Sequence, residues 1–307
     1  MASPVQASLV AGLRVGHWTD EAGRTGCTVL LFDGPTVASV DVRGGAPGSI
    51  ETALLDPWRT ASGVHAVVLT GGSAFGLASA DGVRRWLDER GIGFQIATVH
   101  VPLVAGAVIF DLLAGDPGAR PDAAAGYAAC DAATREPAEG LVGAGTGATV
   151  AKLTGDRTRR GGLGIATVRA GDATVTAVMV VNAVGGIWDD ETGAWAAEIQ
   201  PGASSPSDAS GASDASAPGG PLGPGASTTI GCVVTDALLD KPRAFRLAGV
   251  AHDGLARAVR PAHTDLDGDT IFCVSLGGNA RVEVPTVQAQ MAAADAVARA
   301  IVRAVRR

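Results

Sequence analysis

The residue types that could do chemistry together are two threonines, a lysine, an asparagine and a pair of aspartates, scattered across most of the chain. Thr228 and Thr229 lie in Gly225-Ala-Ser-Thr-Thr-Ile-Gly-Cys-Val-Val-Thr-Asp236, where a polar segment meets a strongly apolar, β-prone run. Residues 201–226 are almost all Pro, Gly, Ala, Ser and Asp, a composition that cannot bury enough surface to fold. A tether ending at a buried strand that begins with Thr suits a self-cleaving chain, because the freed residue would carry a nucleophilic hydroxyl and its own basic amine. The same residues also fit a plain linker followed by β-branched strand starters. On these residues alone both readings stand.

Lys152 follows the Gly-rich Gly140–Gly147 in an apolar stretch, and only one other lysine, Lys241, occurs in the chain. It fits an edge position, or a cation that tunes a nearby nucleophile. Asn182 closes the apolar strand Val178–Val181 and fits either a strand-end turn or an amide donating to an oxyanion. Asp265-Leu-Asp-Gly-Asp-Thr270 lacks the spacing and closing Glu of a calcium loop, so no metal is expected. Asp267 and Asp269 flank a glycine. In an extended segment they would point to one side and reach the Thr228 amine and hydroxyl.

Thr70-Gly-Gly-Ser-Ala-Phe-Gly76 is a strand–turn–helix junction without a nucleotide fingerprint, and reads as a tight turn lining a pocket. The five histidines show no metal-ligand spacing, and no GxSxG elbow is present.

These residues need elements to hold them. The sequence predicts strands at Thr28–Phe32 and Thr36–Val42, read as a hairpin across Asp33-Gly-Pro35, and at Val64–Leu69. Helices are expected at Leu77–Arg90, Asp122–Ala133, Arg243–Ala258 and Val287–Val305. Further strands are expected at Ile165–Arg169, Ala173–Ala183, Thr228–Thr235 and Thr270–Leu276. Strands on both sides of the tether with helices between them predict a mixed α/β sandwich.

At 307 residues the chain can bury a large core, and with aromatics at only 4% that core is Ala, Val, Leu and Ile packed closely around 43 glycines. A net charge of −7 argues against a nucleic-acid or anionic-membrane partner. The four cysteines are far apart and form no CxxC pair, which fits a reducing cytoplasm. No signal-peptide pattern opens the chain. The mostly apolar Ile92–Ala114 is broken by Gln95, His100, Pro102 and Asp111, and reads as soluble core made of a strand, a loop and a helix start.

Taken together, seven stretches in order resemble the DmpA-type peptidases, the family of the β-peptidyl aminopeptidases and the nylon-oligomer (6-aminohexanoate oligomer) hydrolase. They are Asp41–Gly48, Leu69–Leu77 leading to Ala80–Val83, Val101–Leu112, Gly143–Lys152, Val181–Gly186, Ser227–Ile230 and Asp267–Thr270. The resemblance implies a four-layer αββα sandwich, shared with ornithine acetyltransferases. It also implies autocatalytic cleavage between Ser227 and Thr228 into a large chain, 1–227, and a small chain, 228–307, that form one structural domain. Thr228 is then the nucleophile, with Lys152, Asn182, Asp267 and Asp269 around it, and Phe110, Gly72 and Ser73 in the substrate pocket. Thr as nucleophile and Asp-x-Asp downstream are similar to the nylon-oligomer hydrolase; the aminopeptidases carry Ser-x-Glu there. Ser227 stands where the family has Asn or Gly, and Phe110 occupies a position in the tyrosine-bearing pocket loop. The implied activity is hydrolysis of small linear amides or peptides without cofactor or metal, by a cytoplasmic homo-oligomer of cleaved pairs, a tetramer by the resemblance. An aminopeptidase on β- or D-amino-acid peptides, an acyltransferase on the same fold and a non-catalytic binding module are the alternatives.

Overall fold

The computed structural model describes residues 8–153, 158–199, 225–276 and 282–306. The expected tether lies, but for Gly225 and Ala226, outside the described residues.

Two five-stranded sheets face each other. One contains β1 (Leu13–Asp20), β2 (Thr25–Phe32), β4 (Ser49–Ile50), β5 (Ala66–Thr70) and β6 (Val104–Val108), in the order β1-β2-β5-β6-β4. The other contains β3 (Thr36–Val42), β7 (Gly162–Ala170), β8 (Ala173–Asn182), β9 (Thr228–Thr235) and β10 (Thr270–Leu276), in the order β7-β8-β9-β10-β3. Helices α1 (Ser79–Asp88) and α2 (Ala123–Asp131) cover the first sheet, and α3 (Lys241–Ala258) and α4 (Thr286–Val305) cover the second. The result is the expected αββα layering.

Alternation explains why β9 reads as an unbroken apolar run. Ile230, Cys232 and Val234 join the core between the sheets, while Val233 packs into the core beneath α3 and α4. A strand buried on both faces has no polar face to show. Composition explains the close layers. A Cβ on Gly164 would lie 2.0 Å from the Ala300 carbonyl of α4, and one on Gly254 would lie 2.0 Å from the Ala294 carbonyl. Glycine on strand and helix thus lets backbones meet where larger residues would hold them apart.

Two expectations are corrected. Asp33-Gly-Pro35 is not a hairpin: β2 pairs with β1 and β5, whereas β3 crosses to the edge of the other sheet beside β10. β2 is buried along its whole length, so it takes a central place with both ladder edges filled, which leaves none for β3. Within Ile92–Ala114 only Val104–Val108 is a buried strand. Phe94–Ile96 and Val99–Val101 form an exposed hairpin, and no helix begins there. Among the described residues no helix is long and apolar enough to cross a membrane. Helix α3 starts two residues earlier than expected, because Asp240 caps it by accepting from the Arg243 amide at 2.8 Å, ahead of Pro242.

Candidate active site

The head of β9 brings the chemistry-bearing residues together. Thr228 stands opposite Asn182 on β8, and one strand over Ile230 stands opposite Thr270 on β10. By strand alternation Thr228 and Asn182 share the faces of Ile230 and Val180, both in the core between the sheets. The site therefore lies where the sandwich opens at one end of its strands.

Thr228 is 3% exposed, and its Oγ1 donates to the Ser227 carbonyl oxygen. The Gly268 amide donates to that same oxygen at 3.0 Å. Gly268 is also the residue that leaves the hydroxyl its space, since a Cβ there would sit 3.0 Å from Thr228 Oγ1 and 2.7 Å from the Ala46 carbonyl.

Lys152 is buried, and its Nζ donates to the Asn182 carbonyl at 2.9 Å, to Asn182 Oδ1 at 2.8 Å and to the Ala226 carbonyl at 3.1 Å. Three acceptors match the three protons of an ammonium. Burial acts the other way and brings the group down from its ordinary 10.5 to about 7, with Asp267 and Asp111 partly opposing the fall. Because the unfolded chain then holds this proton more tightly than the folded one, stability is lost as pH falls from about 10.5 to about 7 and regained as pH rises. In a Thr228→Ala background, the melting temperature of the Lys152 protein is expected to gain on that of Lys152→Met between pH 7 and 9. Parallel curves in thermal melts would show that Lys152 keeps its ordinary proton affinity.

Asn182 is oriented by its neighbours. Its Oδ1 also accepts from the Thr149 amide at 3.0 Å, and its Nδ2 donates to the Phe110 carbonyl at 3.1 Å. The amide thus fixes Lys152 and the Phe110 loop, and the backbone donor on the Ser227 oxygen is Gly268 rather than Asn182. Phe110 enters the site through this carbonyl. Gly72 and Ser73 lie one step further out. The Gly72 amide donates to Asp111 Oδ1 at 2.6 Å, and the Ser73 amide to the Ile109 carbonyl at 3.0 Å.

The acidic pair reaches backbone rather than Thr228 itself. Asp269 Oδ1 accepts from the Thr229 amide at 2.8 Å, and its Oδ2 accepts from the His263 amide at 2.9 Å and meets His263 Nδ1 at 2.8 Å. Asp267 Oδ1 accepts from the Val184 amide at 3.4 Å, and its Oδ2 from the Thr264 amide at 3.1 Å and hydroxyl at 2.5 Å. Burial and the neighbouring Asp269 push the Asp267 carboxyl up. The segment is not the extended one expected: it leaves a turn in which the Asp267 amide returns to the Thr264 carbonyl, so the two carboxylates take separate partners.

Two residues passed over in the sequence belong here. Asp111 is buried, held by the Gly72 amide and by the Thr25 hydroxyl at 2.8 Å, and burial raises its pKa. A carboxylate two residues after the buried run Val104–Ile109 was its signal. His263 is set by folding alone: it sits edge-on to buried His252, ring centroids 4.9 Å apart. Among the described residues no cluster of His, Cys, Asp and Glu is grouped to hold a metal ion.

A buried hydroxyl placed against a backbone carbonyl at a strand head, with a lysine holding the carbonyl one residue back, is an arrangement able to act on an amide bond. The profile of Peptidase family S58 matches residues 8–307, and the chain belongs to that family. It is 41% identical to an uncharacterised aminopeptidase of Mycobacterium leprae, covering 99% of this chain and 91% of that one. It is 33% identical to the 6-aminohexanoate-oligomer endohydrolase of Kocuria sp. strain KY2, covering 90% and 75%. The solved β-aminopeptidase of a Burkholderia sp. superposes with a TM-score of 0.72 at 26% identity, covering 96% and 84%. The L-aminopeptidase D-Ala-esterase/amidase of Ochrobactrum anthropi, described as a variant of the Ntn hydrolase fold, shares the fold at a TM-score of 0.72, 21% identity and the same coverage.

Proposed function

We propose that the protein is a self-cleaving amide hydrolase whose mature nucleophile is Thr228, freed as an N-terminal residue. The observation that carries this reading is the Thr228 hydroxyl lying against the carbonyl of the residue before it, with the Gly268 amide already on that oxygen. Oγ1 attacks the Ser227 carbonyl carbon, the C–N bond to Thr228 breaks and the hydroxyl proton passes to the new amine. Water then hydrolyses the ester, leaving a Ser227 carboxylate and a free Thr228. In turnover that amine, with a reference pKa of about 7.7–8.0, takes the proton of its own hydroxyl as it attacks the substrate. Gly268 holds the developing oxyanion, and Lys152, Asn182, Asp267 and Asp269 fix the strand head around it.

The substrates on this reading are linear amides, either 6-aminohexanoate oligomers or small peptides. The resemblance at Thr228 and the Asp-x-Asp pair supports the first, and the backbone hydrogen bonds made by the residues before Thr228 support the second. The aminopeptidase reading is supported by the name of the 41%-identical relative. Acyl transfer on the same site is the alternative that an acyl-acceptor screen separates. The four cysteines are buried and unpaired, which supports a cytoplasmic setting. Association of cleaved pairs, to a tetramer by the resemblance, is supported by the exposed Phe94, Ile96 and Val99, and light scattering checks it.

Intact mass after prolonged incubation tests the central claim. Two chains, Met1–Ser227 and Thr228–Arg307, are expected, together with released products from a panel of such amides. A single inactive chain overturns the reading.

A further inference from the structure

Gly225, Ala226 and Ser227 are bound mainly through their backbone. The amides of Gly225 and Ser227 both donate to the Leu266 carbonyl, at 3.1 and 3.3 Å, and Ser227 pairs with Asp267 as a one-residue parallel bridge. Gly268 donates to the Ser227 carbonyl and Lys152 to the Ala226 carbonyl, so both carbonyls nearest the scissile bond are held. Ser227 is fully buried, and its hydroxyl has no partner among the described residues. Main-chain bonds along an extended segment are a general way for a protein to recognise a peptide whatever its side chains.

Chemistry connects this segment with turnover. The ester of self-cleavage joins the Ser227 carbonyl carbon to Thr228 Oγ1. An acyl-enzyme has the same linkage, with the substrate's carbonyl carbon in place of Ser227's. Two esters of one hydroxyl, hydrolysed at one site, present their carbonyl oxygens to one donor, the Gly268 amide. What lies behind the carbonyl must then follow one track.

We propose that the ledge Leu266–Gly268, with Lys152 facing it, is the acyl-binding subsite of the mature enzyme, and that Gly225–Ser227 fills it in the precursor as a surrogate substrate. This inference rests on the reading of Thr228 as nucleophile. The ligand that fits is an extended, peptide-type acyl group. It carries an N–H on the carbon next to the attacked carbonyl, for Leu266, and a carbonyl one residue back, for Lys152. The methylene chain of an aminohexanoyl group has neither near the attacked carbon, so the ledge selects peptides over aminohexanoate oligomers. It follows that the cleaved segment, ending in the Ser227 carboxylate, competes with substrate for the site it has left.

The test uses cleaved wild-type protein, its two chains verified by mass, turning over its best amide from the panel. Three probes are added in turn: acetyl-Gly-Ala-Ser as the free acid, the same peptide N-methylated at Ser, and hexanoate. The free peptide is expected to raise KM without changing kcat. N-methylation, which removes the hydrogen bond to Leu266, is expected to weaken it roughly tenfold, the scale of one buried hydrogen bond. Hexanoate should bind more weakly still. Absence of competition, a fall in kcat, or equal binding of the N-methyl peptide or of hexanoate overturns the ledge while leaving the nucleophile untouched. A single uncleaved, inactive chain overturns both.

Discussion

Thr228→Ala is expected to leave one uncleaved chain with no measurable amide hydrolysis, a loss of roughly 10⁴–10⁶-fold, the scale of deleting a covalent nucleophile. The substitution removes a hydroxyl and a methyl at a strand head whose register with β8 is set by backbone pairing, so folding should survive it. Thr229→Ala is the control. Alternation turns Thr229 to the helix-covered face, and its hydroxyl is buried without a partner among the described residues. What Asp269 holds is the Thr229 amide, and alanine keeps that. Thr229→Ala should therefore cleave and turn over at close to wild-type rates. Intact mass across a time course and thermal melts of both variants check the pair. An uncleaved Thr229→Ala beside a cleaved Thr228→Ala would move the nucleophile by one residue.

The strands that carry the site could be read from sequence, because burial on both faces writes itself as uninterrupted apolar runs. Thr228–Thr235 and Thr270–Leu276 have the bounds expected. Partners across space could not be read in the same way. Nothing in Asp33-Gly-Pro35 separates a hairpin from a crossover, since both need a polar break, and the choice depends on which sheet has a free edge. The same limit applied within the site. Thr228, Lys152 and Asn182 stand out in the sequence because each is a polar residue beside or within an apolar segment, and the fold brings the three together. His263 and Asp111 were not singled out. The first takes its role from the packing of α3 and the loop before β10, the second from Thr25 and Gly72 of its own sheet. Asp269 lies against the strand head through the Thr229 amide, but strand alternation assigned the partners of Asp267 and Asp269 wrongly because the chain turns at Thr264.

Those partners decide the second large effect. Asp269→Asn is expected to slow self-cleavage by about 10- to 100-fold, more than Asp267→Asn does. Both oxygens of Asp269 accept from backbone amides, Thr229 on one side and His263 on the other. An asparagine has one acceptor, so its NH₂ must face one of these donors and leave a buried N–H unpaired. That costs about 1–3 kcal/mol, or roughly 5- to 150-fold where the strand head must be held still for attack. Asp267 has an easier escape, because its Val184 contact is long, 3.4 Å, and asparagine can turn its NH₂ there while keeping Thr264. Its loss should register differently. Of the two carboxylates opposing the fall in the Lys152 pKa, Asp267 has the larger effect, so Asp267→Asn should lower the Lys152 titration further. Cleavage half-times from pH 5 to 9 separate the two effects: a rate deficit with an unchanged profile for Asp269→Asn, and an acid-shifted profile for Asp267→Asn. Matching profiles and wild-type rates for both would mean that the pair serves only the turn, and that the strand head holds its geometry without them.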